Sequence, residues 1–286
     1  MLQERILSPR ILHFAEKQLF WECSEICACE AFPNGILRGT IYENLRDVTS
    51  PSAESANAWN MIVQRYTKRS LTYSSDKLPA LSGIAKWIGP KLGGTYLAGI
   101  WENADLPRQL AWYVDVKPSK LRPRPNYRAP TWSWASVDGP VLFAERGESG
   151  YNPLIKVIRT EITLVSEDPT GAVAGGYMVV EGSLRNVSSS SRESFLKGFD
   201  VKFDIEPEPI GDLYLLPLYK DAQREYQMDR KFGHMTSHTQ YLVLVPYQLD
   251  PSWFSRCGFA VSRNKGAYDG FADRGRLDTE KRFRIF

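Results

Sequence analysis

The residues whose types suggest chemistry begin with Cys23, Cys27 and Cys29, three thiols within seven positions. Thiolates this close could hold zinc if Cys257 or His13 supplied a fourth ligand. The C-x3-C-x-C spacing lacks the paired C-x2-C of zinc knuckles, so free, semi-buried thiols are expected and no metal is assigned. His234 and His238 would share one face of a helix, a zinc-like geometry. No glutamate lies between them, and Gly233 and Thr236 weaken a helix, so a polar loop is expected there. With three histidines in all, a catalytic triad has few options, and no spacing links Ser136 or Asp138 to a histidine. Glu4 and Glu22 would form a carboxylate pair only if a hairpin joined them; ion-paired or helix-end carboxylates are the expectation. Nothing resembles a glycine-rich phosphate cradle. No catalytic residue and no cofactor are therefore assigned.

The most conspicuous stretch is 128–140, Arg-Ala-Pro-Thr-Trp-Ser-Trp-Ala-Ser-Val-Asp-Gly-Pro. In an extended strand Trp132 and Trp134 point to one face, with Ser133 and Ala135 on the other. Each indole buries about 150–250 Å², so the pair reads as a structural anchor between two halves of the chain. A ligand or partner platform is the alternative. Arg128 could stack on an indole. The approach from Lys117 to Arg128 carries five basic residues among prolines, which reads as an extended, solvated linker.

These residues must be positioned by a framework that changes period along the chain. Residues 10–14 and 18–23 form two apolar runs joined by a short loop, a hairpin apolar on both faces and suited to the middle of a sheet. Ser50-Pro51 offers a helix start, and Trp59, Ile62, Val63 and Tyr66 follow at helical spacing. A second helix is expected from Asp76, burying Leu81, Ile84, Ala85 and Ile88 and stopping at Gly89-Pro90. A third is expected from Asp105, with Leu106, Leu110 and Tyr113 on one face. Beyond the tryptophans, strands are expected at 154–165, 177–184, 212–219, 240–248, 254–261 and 282–286, with loops at 147–150 and 188–191. The fold class is α+β, with an N-terminal hairpin and helical middle packed on a mainly antiparallel, β-rich C-terminal half. The boundaries fall at 1–30, 31–145 and 146–286.

Of 286 residues, 43% are hydrophobic, 36 are basic and 33 acidic, giving a net charge of +3. That composition suits a globular core, and the charge balance argues against nucleic acid as the main partner. No run reaches the roughly 18 apolar residues of a membrane span. The first residues lack the apolar core of a signal peptide, and reduced cysteines fit a cytoplasmic location.

Residues 2–14 (Leu-Gln-Glu-Arg-Ile-Leu-Ser-Pro-Arg-Ile-Leu-His-Phe), with 18–23 and 28–33, resemble the closing segment of the fungal heterokaryon-incompatibility (HET) domain. Further blocks, Trp59 to Thr72, Asp76 to Ala85, Tyr96 to Trp101 and Tyr127 to Ser136, are similar to the region that follows that domain in filamentous-fungal proteins. The resemblance implies a HET-type protein acting in non-self recognition and programmed cell death, here a truncated copy whose activity is open. The family's earlier motifs are missing, and no nucleotide-cleaving role passes to Glu4 or Glu22. The alternatives are an interaction module using the Trp132/Trp134 surface with an unknown protein partner, and an enzyme whose zinc or nucleotide site forms on folding.

Overall fold

Apolar spacing of three and four gives way to spacing of two near residue 140, and the architecture follows that change. The computed structural model describes residues 2–23, 25–36, 55–145, 149–225, 234–247, 250–262 and 281–286. It is an α+β fold of mostly antiparallel sheet with a helical part.

Helix α1 (Leu2–Leu7) leads into strands β1 (Arg10–Phe14), β2 (Leu19–Cys23) and β3 (Cys27–Cys29), an antiparallel sheet in that order. Leu2 and Ile6 enter the main core. Gly83 lies against α1, where a Cβ would meet the movable end of the Gln3 side chain. The expected hairpin thus gains a third strand, but it is not covered on both faces: Phe14 is 80% exposed and Leu12 46%.

Helix α2 (Ser55–Thr67) buries Trp59, Ile62, Val63 and Tyr66 as their spacing requires. The Ser50-Pro51 start lies outside the described residues. The second helix departs from expectation at both ends. Two single 3₁₀ turns, Ser74–Lys77 and Pro79–Leu81, precede α3 (Ser82–Leu92), which runs through Pro90 rather than stopping before it. Pro90 is exposed and close to the end, where Gly93, at φ +66°, closes the helix by donating to Gly89 O. After the hairpin β4 (Thr95–Leu97) and β5 (Ile100–Glu102), the expected third helix is the single turn α4 (Leu106–Gln109). Tyr113 belongs instead to strand β6 (Trp112–Val114), paired with β7 (Val141–Phe143). The Arg256 guanidinium takes the Leu110 and Trp112 carbonyls, acceptors that a longer helix would need for its own ladder.

Among the described residues the large sheet holds nine strands: β8 (Ser149–Pro153), β9 (Ile155–Leu164), β10 (Val173–Gly182), β11 (Arg185–Val187), β12 (Phe199–Phe203), β13 (Leu213–Glu225), β14 (His234–Tyr247), β15 (Asp250–Ser262) and β16 (Lys281–Ile285). Its main path runs β11-β13-β14-β15-β16-β10-β9. Long strands carry two partners along one edge: β15 pairs with β16 at Trp253 and Phe254 and with β12 from Gly258 to Ser262. Only the β15–β16 pairing among those described is parallel. Period two divides the core between two faces. Leu216, Leu218, Leu242 and Leu244 face the helices in the main cluster, while Leu213, Leu215, Tyr241 and Val243 face a second cluster under helix α5 (Arg192–Gly198). Such two-sided burial explains why residues 241–245 are continuously apolar. Sequence spacing did not reveal α5 or β12. The expected loop at 188–191 is a 3₁₀ turn opening α5, and the 147–150 loop is partly taken up by β8.

Candidate functional site

The tryptophan stretch is neither a strand nor a surface. It turns sharply, with a 3₁₀ turn at Trp134–Ser136 whose second amide is capped by Ser133 Oγ, accepting from Ala135 N at 3.0 Å. The extended geometry is therefore overturned. Trp132, Ser133, Trp134 and Ala135 are all fully buried. Most of the polar groups are spent inward: Ser133 Oγ donates to Ala98 O at 2.5 Å, Trp134 Nε1 to Gly99 O at 2.6 Å, and Trp112 Nε1 to Trp132 O at 2.9 Å, while Trp132 Nε1 is buried without a partner among the described residues. Gly99 sits at φ +103° with no room for a Cβ, which would meet the Trp134 ring at 2.8 Å. On the other side Thr131 N donates to Phe286 O at 3.0 Å, and Arg256 N donates to Thr131 Oγ1 at 3.0 Å. One short stretch thus joins the β4–β5 hairpin to the large sheet. A partner platform requires accessible indoles, and these two have none to offer.

Arg128 does not stack on an indole. Its Nε donates to Ala135 O at 2.6 Å, and Nη2 donates to Val137 O at 2.7 Å and to Asp138 Oδ1 at 2.6 Å. Val137 O also accepts from Lys77 Nζ. It is Lys77 that faces the Trp134 ring, 5.9 Å from its centroid. Lys77 is 5% exposed. Burial, and then the neighbouring Arg128 charge, bring its ammonium down to about 7, while Asp138 opposes the shift. Among the described residues, Val137 O is the one acceptor for a group with three donors.

Lys77 and Arg128 form the floor of a cleft of about 390 Å³ between the end of α2 and the proline-rich approach. Lys68, Arg69, Lys120 and Arg122 stand around it, and Asp138 is the single carboxylate among the described residues that line it. Six basic groups thus face one acid. All four rim cations are solvent-exposed, and none pairs with a carboxylate among the described residues. Leu71, Val114, Val116 and Leu121 make an apolar wall. The approach is accordingly no free linker: Arg124 donates to Ser136 Oγ at 2.6 Å and to Arg256 O at 2.9 Å, holding the rim in place. Chemically, the arrangement suits an anion.

The remaining candidates disperse. Cys23, Cys27 and Cys29 lie on adjacent strands outside any disulfide, and Cys257 is buried in the second cluster of the large sheet. Hydrogen bonding from the Ile26 backbone N–H, first among several causes, lowers the Cys23 thiol, whereas burial raises that of Cys257. No three His, Cys, Asp or Glu residues are placed to hold a metal among the described residues. His234 and His238 lie on β14, not in a loop; four strand residues place them about 13 Å apart, too far to share a metal. Glu22 is fully buried and meets Arg5 Nε at 2.9 Å and His13 Nε2 at 3.0 Å rather than Glu4. Ser136 serves Arg124 and Thr131 O, and Asp138 serves Arg128. Sequence reasoning missed Lys77, whose type argues for the surface, and Lys68 with Arg69. Their one signal was clustered positive charge at a helix end and in the approach.

Comparison with protein-family models, curated proteins and solved structures finds no match to this chain.

Proposed function

We propose that the chain belongs to a HET-type fungal incompatibility protein acting in non-self recognition and programmed cell death, and that its own contribution is to bind an anionic ligand in the cationic cleft. The family part rests on the ordered sequence blocks between residues 2 and 136 that resemble that domain's end and the region after it. The binding part rests on one observation: a buried ammonium, Lys77, with one acceptor among the described residues, lies below four cations that meet no carboxylate among those residues. Like charges gathered around a concave, partly desolvated site repel one another, and an anion entering there relieves the repulsion and supplies the missing acceptors.

Thermal unfolding of the purified chain in phosphate, sulfate, citrate and chloride at equal ionic strength tests the binding part. The multivalent anions should raise Tm above chloride, and combined Lys68→Ala, Arg69→Ala, Lys120→Ala and Arg122→Ala should abolish the difference. Equal Tm in all four salts would overturn it. Inducible expression in a filamentous fungus tests the family part, with growth arrest expected and undiminished growth counting against it.

A further inference from the structure

Resting on that anion-binding reading, we infer that the ligand is a small phosphate ester with an apolar body, its phosphate on Lys77 and Arg128 and its body along Val114, Val116 and Leu121. Size comes first. A cleft of about 390 Å³ falls in the range of small-molecule pockets, about 300–1,000 Å³. Charge narrows the class. Six basic groups against one carboxylate suit a multiply charged group, and a phosphate monoester carries about −1.5 to −2 with three acceptor oxygens. Those oxygens match the donors left at the floor. Lys77 Nζ has one acceptor among the described residues, and Arg128 Nη1 reaches only Ser74 O, at a long 3.4 Å. At the rim, Arg69 and Arg122 add positive potential that draws a dianion toward the floor.

The apolar wall excludes a bare inorganic ion as the complete ligand. Leu71, Val114, Val116 and Leu121 line the same cavity as the cations. A ligand made only of charge would leave that wall facing water, whereas a flat apolar body would cover it. Arg128 and Asp138 are the charged groups facing Lys77, and they act on it in opposite senses. A dianion beside them favours its protonated form, so binding should take up a proton near pH 7.5.

Isothermal titration of the full chain at pH 7.5, repeated in buffers of different ionisation enthalpy, tests this. The probes are phenyl phosphate, adenosine monophosphate, inorganic phosphate, benzoate and a ten-residue oligothymidylate. Phenyl phosphate or the nucleotide should bind at least tenfold tighter than inorganic phosphate or benzoate, with proton uptake. Lys77→Met should remove the uptake and weaken binding about tenfold. Arg122→Ala should weaken binding while the chain keeps its wild-type Tm, which covers the case in which Lys77→Met does not fold. Equal affinity for phenyl phosphate and inorganic phosphate would overturn this inference and leave the anion reading standing. Tighter binding of the oligonucleotide would overturn it in favour of nucleic acid. Failure of every anion to bind would remove both.

Discussion

Two buried cations pack against the tryptophan-rich core, each facing an indole, and their acceptors differ. Arg256, fully buried, donates through Nε to Asp204 Oδ2 at 2.8 Å and through Nη2 to Asp204 Oδ1 at 3.2 Å. It also donates to the Leu110 and Trp112 carbonyls and lies over the Trp112 ring, 3.3 Å from its centroid. Its charge is neutralised within the fold. Among the described residues Lys77 has one carbonyl, with Arg128 and Asp138 acting on it in opposite senses and an open cleft beside it. A cation with all its partners inside the protein ties segments together, here the 110–112 turn, the end of β12 and strand β15. One whose partners are incomplete, at the floor of a cavity, is arranged for something that arrives from outside. Burial alone does not distinguish the two; the count of acceptors does.

The contrast can be broken most forcefully at Asp204. Asp204→Asn leaves the Arg256 charge buried without its counter-ion and should cost about 3–5 kcal/mol, read by urea unfolding at pH 7. A loss below about 1 kcal/mol would put Arg256 in the same class as Lys77. Next comes Lys77→Met in the ligand-free chain. Because the folded-state pKa of Lys77 lies near 7, below the ordinary 10.5, the unfolded chain binds more protons between those values. Stability of the wild type should therefore rise from pH 7 to 10.5, and the penalty of a charged Lys77 is fully present below 7. Lys77→Met should be the more stable at pH 6, by an amount on the order of a few kcal/mol, with the gap closing toward pH 10. A gap that stays constant with pH would show Lys77 to be as well compensated as Arg256.

A smaller effect is expected at the seam between them. Trp134→Phe removes one donor and some volume, but Gly99 O keeps its bond from Trp59 Nε1 at 2.8 Å, so about 1–2 kcal/mol should be lost. Tryptophan fluorescence during unfolding checks this, and a loss above about 4 kcal/mol would mean that the seam outranks both cations. The smallest effect belongs to the rim. Lys120→Ala with Arg122→Ala should change stability by no more than about 0.5 kcal/mol by the same urea titration. A large loss would make the rim structural and remove the contrast from the other side.

Elements with a strong local pattern were legible. The buried face of α2 and the apolar runs of β13, β14 and β15 follow from spacing that a helix or strand converts directly into a face. Tertiary competition defeated the rest. Leu106, Leu110 and Tyr113 read as a helix until Arg256, 146 positions beyond Leu110, takes the carbonyl that would continue it. Trp132 and Trp134 read as a strand until Ser133 caps a turn and their polar atoms reach residues 98, 99 and 112. Of the cleft, Arg128 and the basic approach were visible, but Lys77 was not, because nothing local says that a lysine will be buried.

By itself the sequence determined the change of period near residue 140, hence an α+β chain with its longer helices before the tryptophans and its large sheet after them. It also determined that those two indoles must dominate the core they enter, since no surface position hides so much apolar area. Only the tertiary structure decided where charge is balanced. Arg256 meets Asp204 from 52 positions away and Lys77 meets Val137 from 60. Coulomb energy depends on distance in space and on local water, and neither can be read along a chain.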